Sequence, residues 1–293
     1  MTTPHHDTFA GEAGQPGQKE IASRRNPSFR LLQDLTAGSP RERRAHGVAW
    51  VEGERLCASF AQAGGTGMTL VLRQGLSADR LPGSVSALAV SVWQLTPELF
   101  DEISTLETSP GWGLIVSAPE CDVTGDASGD ATGDAPADMA GDVLILDRIQ
   151  DPGNAGAILR SAAAAGVAGV WPIRGTVDLW SPRVLRAAMG AHVALRISAP
   201  MATPTALSIA AERGLRLLAT ANREDASSVF AAALDLSPGL AWVFGQEGEG
   251  VDPVILAAGR AVVVPQTAGV ESLNVAAAAA VCLFEARRRR TAP

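Results

Sequence analysis

The chain of 293 residues has no tyrosine, a single lysine (Lys19), three cysteines and four histidines. Cys57, Cys121 and Cys282 are far apart and odd in number, with no Cys-x-x-Cys spacing and no histidine pair nearby. That pattern supports neither a disulfide framework nor a zinc site. His5, His6, His46 and His192 are also scattered, so a metal enzyme is not expected. No apolar run reaches the roughly 18 residues that cross a bilayer, and the segment from Met1 to Asp7 lacks the charged-then-apolar order of a signal peptide. The expected location is therefore the cytoplasm, away from membranes.

Positive charge is also scarce at first sight, because the net charge is −7. Glu120, Asp122, Asp126, Asp130, Asp134, Asp138 and Asp142 account for all of it, with no basic residue among them. The rest of the chain is neutral. Its basic residues are arginines apart from Lys19, and a planar guanidinium suits bidentate phosphate contacts better than an ammonium. The abundance of alanine points equally to a bland compositional cause.

Residues 1–20 are rich in Gly, Pro, Thr and His without apolar periodicity, which predicts a disordered tail. From Ile21 onward Arg24, Arg25, Arg30, Arg41, Arg43 and Arg44 surround a short apolar helix candidate, Phe29 to Leu35. Such a cluster suits either RNA phosphates or a solvated basic face. Strand candidates at Val48–Val51, Met68–Leu72 and Gly113–Val116 alternate with helical runs, making residues 21–119 a small α/β domain. The glycine run 64–67 precedes a strand and is no dinucleotide fingerprint. Residues 120–142, with their Gly-Asp-Ala repeats, cannot anchor a core and read as an extended interdomain linker.

From Val143 the alternation is sharper. Val143–Leu146, Gly169–Trp171, Val193–Ile197, Leu215–Ala219, Leu240–Phe244 and Val262–Val264 read as buried strands, and each connection is long enough for a crossover. A largely parallel α/β sheet over residues 143–293 follows. Three polar loops then share one sheet edge, the place where open α/β sheets hold ligands: Asp147–Asn154, Gly245–Gly250 and Pro265–Asn274. Asn154 is placed to cap the first helix, and Ser272 or Asn274 the helix that begins with the alanine run 276–280.

Asn154-x-Gly156-x-x-x-Arg160, Phe244-Gly-x-Glu247-Gly248 and Pro265 through Glu271-Ser-Leu-Asn274 together resemble the three ordered motifs of the SpoU/TrmH group of SPOUT RNA ribose 2′-O-methyltransferases. The segment Val177 to Gly190 fits the same group, and the likeness covers residues 143–290. Upstream, the basic segment and Val51-Glu-Gly-Glu-Arg-Leu56 resemble an L30e-like substrate-binding domain. The resemblance implies a deep C-terminal trefoil knot, a homodimer with its site near the subunit interface, and bound S-adenosylmethionine. It also implies that Asn154, Arg160, Glu247, Ser272 and Asn274 form the catalytic constellation. Phe244, Gly245, Val264, Pro265, Gln266 and Leu273 would line the cofactor site, and Arg24, Arg25, Arg41, Arg43 and Arg44 would meet RNA.

A free guanidinium is too weak an acid to serve as a general base near neutrality, so Arg160 is better suited to holding phosphate and stabilising a developing alkoxide. Two other classes stand beside the methyltransferase. A non-catalytic RNA-binding or ribosome-associated protein is disfavoured by the intact polar set, and a nucleotide-dependent oxidoreductase lacks its glycine fingerprint.

Overall fold

The structure, a computed structural model, describes residues 17–62, 68–76, 81–86, 89–121, 123, 141–267 and 272–291. The tail up to residue 16, the glycine run 64–67, the Gly-Asp-Ala repeats 124–140 and Glu271 lie outside the described residues.

Proline begins six of the first-turn segments named below, where its missing N–H costs nothing. The N-terminal unit runs β1 (Gly17–Ile21), α1 (Pro27–Ala37), α2 (Pro40–Ala45), β2 (Val48–Glu52), α3 (Glu54–Gln62), β3 (Met68–Arg73), α4 (Gly83–Ser86), β4 (Ala89–Leu95), α5 (Pro97–Ile103) and β5 (Trp112–Ser117). Its strands form one mixed sheet in the order β1-β4-β3-β5-β2, with β5 antiparallel to both neighbours. The first strand is a correction. Residues 17–20, expected in the disordered tail, pair with β4 from Gly17–Ser91 to Ile21–Leu95, and tertiary pairing overrides their polar composition. β4 itself is half-exposed and carries little apolar alternation, which is why the sequence did not announce it.

The C-terminal unit follows as β6 (Val143–Asp147), α6 (Pro152–Ala165), β7 (Gly169–Pro172), α7 (Pro182–Ala188), β8 (Arg196–Ile197), α8 (Thr203–Glu212), β9 (Arg216–Thr220), β10 (Ser227–Ser228), β11 (Leu240–Gly245), α9 (Pro253–Ala258), β12 (Arg260–Val263) and α10 (Val275–Thr291). Among the described residues its seven strands are all parallel, in the order β10-β12-β9-β11-β6-β7-β8. The central β6 and β11 are buried along their whole length, as continuous apolar runs require when helices cover both faces. β12 lies beyond β9 from β11, yet α10 returns to pack on α6 and β11.

The two sheets are not independent. Leu70 and Leu114 of the first belong to the same buried apolar cluster as Leu144, Leu185 and Trp242 of the second. Arg43 on α2 donates to Asp178 at 2.6 Å, both side chains largely buried. The ends of the expected linker are also structural. Cys121 N donates to Ile197 O at 2.9 Å, Val123 is buried, and the Asp142 carboxylate accepts from Arg290 at 2.8 Å and from Leu240 N at 3.1 Å. Cys121, Val123 and Asp142, expected in the linker, are thus held by the fold.

The terminal arginines are similarly engaged. Arg289 donates to the carbonyls of Val229, Ala231 and Leu234, and Arg290 to that of Leu236. Arg288 and Arg289 together hold the Glu285 carboxyl down to about 2. Among the described residues, no helix is long and apolar enough to cross a membrane.

Candidate active site

Parallel strands deliver the three loops to one edge, and there the side chains meet. Asn154, in the first turn of α6, donates through Nδ2 to Glu247 Oε1 in the loop after β11. Its Oδ1 accepts from Asn274 Nδ2 at 3.0 Å. Asn274 Oδ1 in turn accepts from Ala276 N at 2.9 Å and Ala277 N at 3.3 Å, so the same side chain caps α10 and ties it to α6. Three segments up to 120 positions apart are thereby held by one chain of amide and carboxylate groups.

Next to this chain is a cavity of about 650 Å³, within the range of small-molecule sites. It is lined by Gly245–Gly250, Val262–Val264, Gln266 and Ser272–Val275. Gly245 is required sterically, because a Cβ there would lie 2.3 Å from the Gly250 backbone as the loop folds back. The outer side of that loop is pinned separately. Arg148, at φ 58°, donates to the fully buried Asp147 at 2.9 Å and to Glu249 at 2.7 Å, while Asp252 N donates to Asp147 at 2.7 Å. The Asp147 contacts raise the Arg148 guanidinium above its ordinary value.

Most of the expected residues converge, and several do not. Glu247, Ser272, Asn274, Gly245, Val264, Gln266 and Leu273 line the cavity, and Asn154 is bonded to two of them. Phe244 does not: it is fully buried, stacked on Trp242, with its side chain in the core beneath the loop. Pro265 is exposed and outside the lining. Arg160 is exposed on α6 and bonds neither Asn154 nor Glu247. Six positions separate it from Asn154, about 9 Å along the helix axis. Asp151, not Asn154, caps α6, accepting from Asn154 N at 2.7 Å, which leaves the Asn154 side chain free for the site.

Three of the five arginines of the expected RNA patch are engaged within the protein. Arg24 pairs with Glu102 on α5, Arg43 is sealed against Asp178, and Arg44 lies 3.9 Å from Glu120. Arg25 and Arg41 are exposed. Sequence reasoning missed Thr220, Ala221 and Asn222, which complete the cavity wall. Their signal was available, since they follow β9 at the same edge as the three recognised loops.

The sequence profile of the SpoU rRNA methylase family matches residues 142–284, the whole of the sheet edge just described. Residues 142–284 are thus similar to the SpoU rRNA methylases. An uncharacterized tRNA/rRNA methyltransferase of Synechocystis is 41% identical over 150 residues, 51% of this chain and 54% of its own length. The chain thus spans about half of that relative. The 23S rRNA (guanosine(2553)-2′-O)-methyltransferase RlmP of Bacillus subtilis is 26% identical over 92% of this chain and 99% of its own. The crystal structure of an AdoMet-bound rRNA methyltransferase from Sinorhizobium meliloti superposes with a TM-score of 0.74 at 25% identity, covering 94% of this chain and 99% of that one. These last two likenesses extend beyond the SpoU unit into the N-terminal sheet.

Proposed function

We propose that this chain methylates a ribose 2′-hydroxyl in structured ribosomal or transfer RNA, using S-adenosylmethionine. The observation that carries the reading is the chain Glu247–Asn154–Asn274, which closes three loops around one cavity. The lining fits the cofactor: backbone groups of Gly245–Gly250, Val264 and Gln266 offer donors and acceptors, and Val262, Val264 and Leu273 offer apolar contact. When bound, S-adenosylmethionine supplies an electrophilic methyl group on a sulfonium.

The protein's own part is alignment and charge. Asn154 fixes the Glu247 carboxylate and the start of α10, so the cavity walls do not have to reorganise as the hydroxyl attacks. Arg160, exposed about 1.7 turns beyond Asn154 along α6, holds a substrate phosphate and stabilises oxygen charge as the hydroxyl proton departs. Its distance from Asn154 within one chain supports a homodimer in which the open faces of α6 and α10 meet, Phe284 on α10 being 45% exposed. The trefoil knot belongs to the same reading, supported by α10, which packs on α6 and β11 although β12 before it lies beyond β9 in the sheet. The N-terminal unit acts as an L30e-like RNA-capturing domain.

Calorimetry with S-adenosylmethionine and mapping of methyl groups transferred to total RNA test the reading. Stoichiometric cofactor binding and new 2′-O-methyl positions are expected. Base methylation, or no transfer by a cofactor-binding chain, would sink it.

A further inference from the structure

We propose that α7 is an RNA-contacting step between the N-terminal unit and the catalytic helix, with Arg183 and Arg186 as phosphate ligands. The inference rests on the reading that the substrate is RNA, and adds a surface which that reading leaves without a role.

α7 touches both sides of the molecule. On one side it crosses α6 at Gly156, where an added Cβ would lie 2.4 Å from the Ala187 Cβ. That crossing sits two residues past Asn154 and four before Arg160. On the other side Arg186 Nη1 donates to Thr105 O at 2.9 Å. Gly190, just past the helix, approaches α3 so closely that a Cβ would lie 2.6 Å from the Ser59 Cβ. Arg55 precedes Ser59 by one turn of α3, and Arg186 lies four residues before Gly190. Arg183 is three residues before Arg186 and shares its helix face.

The composition of the helix narrows its use. Val184, Leu185 and Ala188 are buried, and the two exposed positions are both arginine, with no acid on α7. Asp178, the acid nearest in sequence, is already sealed by Arg43. Arg55, Arg160 and Arg183 are exposed, and their guanidiniums have no hydrogen-bond or ion-pair partner among the described residues. Exposed guanidiniums on α3, α7 and α6, three elements that approach one another at Gly190 and Gly156, suit the backbone of a nucleic-acid strand led from the capturing unit to Arg160.

The test uses the full chain, a fluorescein-labelled RNA stem-loop and anisotropy titrations across a salt series. Arg183→Gln is the clean variant because its side chain holds nothing else in place. It should weaken RNA several-fold and flatten the slope of log affinity against log salt by about 0.7 to 0.9. Adding Arg186→Gln should roughly double that change, with S-adenosylmethionine affinity within twofold and Arg260→Gln, exposed at the start of β12 and so at the opposite end of the strands from the loops, without effect. Unchanged slope and affinity in the double variant would overturn the proposal. So would a loss confined to Arg186→Gln with a lowered melting temperature, which would make α7 a strut. A wild-type chain that binds S-adenosylmethionine but no RNA would overturn the substrate reading along with it, a case the wild-type titration identifies by itself.

Discussion

Asn274 donates to Asn154 at 3.0 Å, which places the cap of the last helix and the first turn of α6 on one side chain. Asn154 can do this only because Asp151 has taken over the capping of its own helix. Asn154→Asp should therefore be worse than Asn154→Ala: it replaces a donor to Glu247 with a second carboxylate, and like charges at that separation repel. We expect S-adenosylmethionine affinity, read by calorimetry, to fall about tenfold or more in the aspartate variant. Equal affinities for the two variants would remove Glu247 from the argument.

Arg160→Ala should leave cofactor affinity within a few fold, because its side chain is outside the cavity lining. Methyl transfer should drop by about 10² to 10³, the loss typical of removing one stabilising donor from a developing oxyanion. Lysine should not restore it, since a point charge lacks the planar fork. Single-turnover transfer assays decide this, and near wild-type rates in Arg160→Ala would contradict the assignment.

A chain truncated to begin at Gly141 should be markedly less stable than the full protein. Truncation would expose the face on which Leu70 and Leu114 share a cluster with Leu185, and would strip Asp178 of Arg43. Removing one partner of such a buried pair costs about 3 to 5 kcal/mol. Asp178→Ala in the full chain should reproduce much of this in urea unfolding, and Arg43→Ala should do the same without a specific loss of RNA salt dependence.

His192 gives the fold a pH dependence of definite sign. It is buried against Trp180, ring centroids 4.8 Å apart, with Nε2 2.7 Å from Leu179 O, and burial pushes its pKa down to about 4. In the unfolded chain it protonates near 6.5, so the unfolded state binds the extra proton first as pH falls. Stability from this group is whole above pH 6.5 and declines down to about pH 4, by about 3 kcal/mol in all. His192→Gln should flatten that part of the urea-unfolding profile while leaving the region above pH 7 parallel to the wild type.

The sequence by itself determined the parallel sheet, the three loops at its edge and most of the residues around the cavity. Those features are local: buried strands read as continuous apolar runs, and Pro, Gly and Asn mark where each chain segment must turn. Because parallel strands bring their carboxyl ends to one side, convergence of the loops followed from topology without any knowledge of contacts. Tertiary structure decided what each polar side chain does once it arrives there. Nothing near Arg43 in sequence distinguishes it from Arg41, yet packing seals one against an aspartate 135 positions away and leaves the other exposed. Phe244 and Gly245 are neighbours in one motif, but strand alternation sends the phenylalanine into the core and leaves the glycine to the cavity. Polar Gly17–Glu20 becomes a strand only because β4 offers an edge to pair with. Charge pairing and burial depend on which surfaces meet, and that is set by the packing of whole elements, which no window of sequence contains.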